Sequence, residues 1–234
     1  MTGGSLAGHV VLVTGAGSGI GEAIAAGFRG DSASVVGCDL AAGIERARAV
    51  SDLAVECDVT DPDAVAALVA VAIDRFGRVD TLIANAGIGR QASILAAEWG
   101  DIEEVVRVNL FGVLHCIRAV LPPMIEQGRG RIAVLSSRNA EFCPGELVGY
   151  NASKAAVFAT VRTLAHELRT VDADVLVNCM IPGPTRTGMN PAGTQEPAAT
   201  YPTARFLATL PEGGPCGRTF WNEEEYPVFA RFSG

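Results

Sequence analysis

Near the N-terminus a short apolar run, Val10 to Val13, passes directly into Thr14-Gly15-Ala16-Gly17-Ser18-Gly19-Ile20-Gly21, and a helical run from Glu22 to Phe28 follows at once. Strand, glycine-rich turn and helix in that order restrict the fold more than any other stretch. The glycines let backbone N–H groups approach a pyrophosphate at the positive end of the helix. The spacing is Thr-Gly-x-x-x-Gly-x-Gly and differs from the commoner Gly-x-Gly-x-x-Gly. Such a turn can also be only a tight connector; the strand before it and the helix after it favour the phosphate reading.

The pattern then repeats. Strand Ser34 to Cys38 ends in Asp39, followed by a short helix, Ile44 to Val50, and a strand, Leu53 to Cys57, that leads into Asp58-Val59. An acidic residue about 20 positions beyond the glycine turn suits the adenosine ribose hydroxyls and repels a 2′-phosphate. Ser18 offers no positive charge there either, so NAD(H) is expected over NADP(H). A terminal aspartate can alternatively cap a helix. Asp61-Pro62 reads as an N-cap with proline at the first helical position, opening a helix to about Phe76. Strand Val79 to Ala84 delivers Asn85-Ala86-Gly87, and a long helical region contains Asn109, an amide among apolar residues that must find partners. Pro122-Pro123 is expected to interrupt or kink that region. Strand Arg131 to Leu135, a helix to about Arg169, strand Val175 to Met180 and a last strand near Thr219 complete the alternation. This predicts an α/β, Rossmann-type, doubly wound parallel sheet in three layers, with ligands at the strand carboxyl ends.

At 234 residues and 49% hydrophobic content, one domain over 1–234 has enough chain for a sizeable core, with a substrate-loop region at about 184–210. A net charge of −8 argues against nucleic acid, which requires clustered positive charge. Met1 to His9 lacks a basic region and an apolar stretch, and the longest apolar run, Ala64 to Ile73, is too short to span a bilayer. A cytoplasmic protein with a small-molecule partner and no membrane is expected. The six cysteines show no ligand spacing, so no metal site is indicated. His9, His115 and His166 lie in unrelated elements.

The chemistry is placed in Ser136 to Lys154, which ends in Tyr150-x-x-x-Lys154. Residues four apart share a helix face, so the ammonium lies beside the phenol. A free phenol titrates near pH 10 and is a poor base. At ~4 Å and an effective dielectric of ~20 the attraction is about 4 kcal/mol, enough to lower that value by up to about three units before desolvation subtracts some. Lys154 is the only lysine in the chain. Alone, Tyr-x-x-x-Lys is a weak signal. Arg138, Glu141, Phe142, Cys143 and Glu146 read mainly as a solvated loop that could line a pocket.

Together, in this order, the five motifs resemble those of the short-chain dehydrogenase/reductase family. The resemblance runs from about Ala7 to Thr187 and more loosely to the end of the chain. It implies that Thr14, Gly15, Gly17, Ser18, Gly19, Ile20 and Gly21 bind the cofactor, Asp39 the adenine ribose, and Asp58 with Val59 the adenine ring. Asn85, Ala86 and Gly87 resemble the family's sheet-stabilising element beside the cofactor. Pro182, Gly183, Thr185 and Thr187 match the loop that positions the nicotinamide carboxamide. Asn109, Ser137, Tyr150 and Lys154 match the catalytic four, with Tyr150 and Lys154 also touching cofactor. Ser136, on the other side of the extended chain, is assigned a structural part. The implied reaction is hydride transfer between NAD(H) and a secondary alcohol or ketone in a homo-oligomer, dimer or tetramer. A nucleotide sensor without turnover is the alternative. The lid after Gly183 is short for the family, and the end, Phe220 to Phe229, lacks the family's glycine-rich finish.

Overall fold

The computed structural model describes residues 5–229; Met1 to Gly4, part of the stretch read as lacking a leader, lie outside them. Eight strands form one sheet in the order β3-β2-β1-β4-β5-β6-β7-β8. They are β1 (Val10–Thr14), β2 (Ser34–Asp39), β3 (Leu53–Glu56), β4 (Thr81–Ala84), β5 (Arg129–Leu135), β6 (Asp174–Met180), β7 (Thr219–Trp221) and β8 (Glu224–Glu225). Every pairing is parallel except that of β7 with β8. The helices are α1 (Gly19–Gly30), α2 (Ile44–Val50), α3 (Pro62–Phe76), α4 (Trp99–Val106), α5 (Val113–Glu126), α6 (Asn139–Phe142), α7 (Val148–Glu167) and α8 (Tyr201–Ala208).

Strand side chains alternate between faces, and the two cores divide accordingly. Val10 and Leu12 of β1 join residues of α3, α5 and α7 on one face. Val11 and Val13 join α1, α2 and α8 on the other. The result is the three-layer, doubly wound sheet that the alternation predicted. Chain order reverses at β1, between β2 and β4, so the carboxyl ends of β1 and β4 open the crevice where ligands bind such sheets.

One expectation needs correction, and two further features were not foreseen. Pro122 and Pro123 do not interrupt the helix: α5 runs through them to Glu126, because Val120 and Met124, both fully buried, hold that face on the sheet. The break lies upstream, where Arg107–Gly112 form a π-helical turn between α4 and α5. From Trp99 to Glu126 the helical run spans 28 residues and is apolar and long enough to cross a bilayer by composition, which the shorter Ala64 to Ile73 is not; here its inner residues pack in the core. Finally, the divergent C-terminal stretch forms the antiparallel hairpin β7–β8, with Asn222 and Glu223 at positive φ in its turn.

Asp61 caps α3 as expected, its carboxylate accepting from Asp63 N at 2.9 Å and Ala64 N at 3.2 Å. Arg131 is 1% exposed. Its guanidinium donates to Leu210 O, Gly130 O, Asp174 O, Pro211 O and Asp174 Oδ2. It ties the segment after α8 to the amino edge of the sheet.

Candidate active site

The glycine turn joins β1 to α1, and Ser18 at the N-cap makes no side-chain bond to the first helical turn. That uncapped, positive helix end is a fit for a pyrophosphate. Gly19 has φ +53°, and a Cβ on Gly17 would lie 2.2 Å from Gly43 O. The turn therefore tolerates no side chain at Gly17 against the start of α2. Asp39, at the end of β2, reaches the same turn: Oδ2 accepts from Gly17 N at 2.8 Å and Oδ1 from Leu40 N at 2.8 Å.

Asn85 ties the end of β4 to this turn, its Nδ2 donating to Thr14 O at 2.8 Å and Gly15 O at 3.2 Å. Thr14 Oγ1 accepts from both Asn85 N and Ala86 N. Asp58 is exposed, whereas Val59 is buried, and its carbonyl accepts from His115 Nδ1 at 2.9 Å.

Asn109 lies in the π-helical turn and is fully buried. The wider turn aims its amide at the chain after Gly87: Oδ1 accepts from Ile88 N at 2.8 Å and Nδ2 donates to Ile88 O at 2.9 Å. Nδ2 also donates to Ser153 Oγ at 3.2 Å, which donates in turn to Tyr150 O at 2.8 Å. A buried mid-helix amide has thus found the partners it required. Ser153 was not singled out from the sequence; its signal was a hydroxyl set between Tyr150 and Lys154.

Tyr150 and Lys154 occupy the first turns of α7. Lys154 Nζ donates to Leu135 O at 2.8 Å and is 5.9 Å from the Tyr150 ring centroid. Ser136 Oγ donates to Lys154 O at 2.9 Å, so Ser136 is structural. Ser137 neighbours the Tyr150 phenol and lowers its pKa, and its Oγ accepts from Asn139 N at 3.1 Å. A Cβ on Gly87 would stand 3.0 Å from Asn109 Oδ1 and 3.6 Å from Lys154 Nζ. Asn109, Ser137, Tyr150 and Lys154 are therefore brought together at the carboxyl ends of β4 and β5.

The electrostatics differ from the expected pattern. Burial pushes the Tyr150 phenol above its ordinary value, opposed by the Ser137 hydrogen bond. Burial also pulls the Lys154 ammonium down to about 8. The Tyr150 phenol is thus raised in this pocket by desolvation and not lowered as charge proximity alone suggested; the Lys154 ammonium is turned to Leu135 O.

After β6 the chain folds back on itself. Gln195 Nε2 donates to Pro182 O at 3.0 Å, Arg186 N to Gln195 O at 2.7 Å and Thr194 N to Pro184 O at 2.8 Å. The Thr185 hydroxyl donates to Pro182 O at 2.8 Å and is thereby already engaged. Thr187 leans over the glycine turn, with its methyl 3.1 Å from where a Gly19 Cβ would be. Met189 and the edge of the Tyr150 ring both stand beside Gly89. Within the 184–210 stretch, α8 is part of the core: Tyr201 OH donates to Asp31 Oδ2 at 2.7 Å and its ring meets Phe28 edge-on at 5.2 Å. Of the residues read mainly as a solvated loop, Phe142, Cys143 and Glu146 are exposed, Arg138 is half-buried, and Glu141, in the short helix α6, is buried.

A doubly wound sheet with an uncapped glycine turn at its switch point defines a Rossmann-type dinucleotide-binding protein. The chain belongs to the short chain dehydrogenase family, which matches residues 9–198. It is 37% identical over 194 residues to oxidoreductase UcpA of Escherichia coli K12, covering 80% of this chain and 73% of that protein. It is 33% identical over 211 residues to a 3-oxoacyl-[acyl-carrier-protein] reductase of Synechocystis, covering 86% and 85%. A crystal structure of 3-ketoacyl-(acyl-carrier-protein) reductase from Brucella melitensis complexed with NADH matches with TM-score 0.85 at 32% identity, covering 92% of this chain and 97% of that one. The protein is an oxidoreductase of this family, whose members bind a nicotinamide cofactor.

Proposed function

We propose that the protein is an NAD(H)-dependent dehydrogenase or reductase that interconverts a secondary alcohol and a ketone. The observation that carries this is the convergence of Ser137, Tyr150, Lys154 and Asn109 at the end of the sheet that also holds the glycine turn. When bound, the nicotinamide supplies the hydride acceptor or donor. Gly15, Gly17, Ser18, Gly19, Ile20 and Gly21 hold its pyrophosphate, Asp39 the adenosine ribose, and Asp58 with Val59 the adenine. The loop of Pro182, Gly183, Thr185 and Thr187 encloses the nicotinamide end. Asp39 supports NAD(H) over NADP(H), because its carboxylate already sits at the turn and repels a 2′-phosphate.

In this reading Ser137 holds the reacting oxygen and Tyr150 moves its proton. Lys154 has two tasks: it orients ribose hydroxyls, and its charge steadies the phenolate that forms during proton transfer. Asn109 holds Ser153 and the backbone after Gly87, which keeps α7 and the end of β4 in register. The partners are a small alcohol or carbonyl compound and further copies of the chain in a cytoplasmic dimer or tetramer. Trp99 and Phe111, exposed at 67% and 48%, offer apolar area for such a contact.

The test is a panel of secondary alcohols and ketones followed by NADH absorbance, with NADH binding measured separately. Turnover with NAD(H) exceeding that with NADP(H) is expected. Binding of NADH without turnover across a broad panel would replace this reading with that of a sensor.

A further inference from the structure

Beside the candidate site lies a stack of side chains that none of the roles above uses. Arg138, the residue after Ser137, has its Cζ 4.7 Å from the Phe142 ring centroid and 4.7 Å from that of Trp221. Trp221 meets Tyr226 edge-on at 5.9 Å, and the Tyr226 hydroxyl donates to Glu141 Oε2 at 2.7 Å. The guanidinium is therefore immobilised between two rings contributed by α6 and by the C-terminal hairpin.

Two N–H groups of this stack, Arg138 Nε and Trp221 Nε1, are buried without an acceptor. Folded proteins rarely leave such donors unpaired, because a buried donor that has lost water and gained nothing is costly. Glu141, the carboxylate packed in the same cluster, is turned to Tyr226. The stack also joins two walls of the candidate site. Arg138 adjoins Ser137, and Trp221 Nε1 would lie 3.3 Å from a Cβ on Gly183.

Building on the alcohol and ketone reading, we propose that Arg138, with the Trp221 N–H beside it, receives a carboxylate of the substrate, which makes the substrate class hydroxy acids and keto acids. A guanidinium edge donates two parallel hydrogen bonds to a carboxylate, and a fixed fork loses little freedom in forming them. A chain of net charge −8 is generally unattractive to anions, so a dedicated cation next to Ser137 is what such a substrate needs.

The full-length protein is assayed with 3-hydroxybutyrate, 4-hydroxyvalerate and their methyl esters. Each acid is expected to exceed or match its ester in kcat/KM, with at least one acid favoured by about tenfold or more. Arg138→Met should collapse that preference to about one, and Arg138→Lys should restore part of it. Esters used as well as both acids, or a preference that survives in Arg138→Met, would overturn the assignment. A second readout needs no turnover: with Trp99→Phe leaving Trp221 as the single tryptophan, each acid should change its fluorescence saturably and each ester should not. If all turnover is absent yet the fluorescence response holds, the oxidoreductase reading fails while the carboxylate site stands. An unchanged fluorescence together with equal use of acid and ester removes the site alone.

Discussion

Replacing Lys154 by Met should reveal how much stability the fold gives up to keep an ammonium inside it. Burial lowers this group from 10.5 to about 8, which corresponds to about 3 kcal/mol at 1.36 kcal/mol per pH unit. The sign follows from proton counting. Below pH 8 both folded and unfolded chains carry the charge, and the folded state bears the full burial penalty. Between about 8 and 10.5 the folded state has released the proton while the unfolded state still holds it, so stability rises with pH. Above 10.5 the penalty is gone. The wild type should therefore gain about 3 kcal/mol relative to Lys154→Met as pH rises from 7 to 10.5. Urea unfolding of the cofactor-free protein at several pH values measures this. Cys116, pushed up to about 12 by burial, and Tyr150 shift the absolute curves in the opposite sense but largely cancel in the difference. Cys179 is the exception, since it faces Lys154 and is itself raised to about 12. At pH 7 the variant also loses the bond to Leu135 O, worth about 1–3 kcal/mol, so its net gain there is smaller than the pH-dependent part. A difference between the two proteins that stays flat from pH 7 to 10.5 would refute the buried-ammonium argument.

Two further outcomes are expected. Asp39→Ala should lower the preference for NAD(H) over NADP(H) by about tenfold or more, read as the ratio of kcat/KM values for the two cofactors; a wild type that already prefers NADPH contradicts the role given to Asp39. Arg131→Met should destabilise the protein by about 3–5 kcal/mol in urea unfolding, because it leaves the partly buried Asp174 carboxylate and several carbonyls without their donor; a loss under 1 kcal/mol would show that the segment after α8 is held by apolar packing alone.

The sheet was legible because its signals are local. Helix α2 has the predicted limits, Ile44 to Val50, and Asp61 caps α3 through the two N–H groups its position implies. The glycine turn, Asp39 and the Tyr150–Lys154 pair lie where strand, turn and helix periodicity put them. What could not be read depends on contacts between distant segments. Pro122 and Pro123 stay helical because Val120 and Met124 are pinned to the sheet. The π-helical turn that aims Asn109 has no pattern of its own. Phenol acidity is not legible either, because charge proximity is visible in Tyr-x-x-x-Lys, whereas the direction of Lys154 Nζ, held on Leu135 O of β5, and the depth of burial are not. Trp221 and Tyr226 reach Arg138 and Glu141 across about 80 residues of chain, a distance over which no spacing rule operates. Sequence alone does not divide the stretch after Gly183, whose second half Tyr201, through Phe28 and Asp31, makes part of the core.

Tyr150→Phe tests the proposed chemistry most directly. It removes one hydroxyl and leaves the α7 backbone, including the Ser153 bond to the carbonyl of residue 150, unchanged. NADH affinity, followed by fluorescence, should remain within about twofold, while turnover of the best alcohol should fall by about a hundredfold to ten-thousandfold. Turnover within tenfold of the wild type would assign proton transfer to a different group.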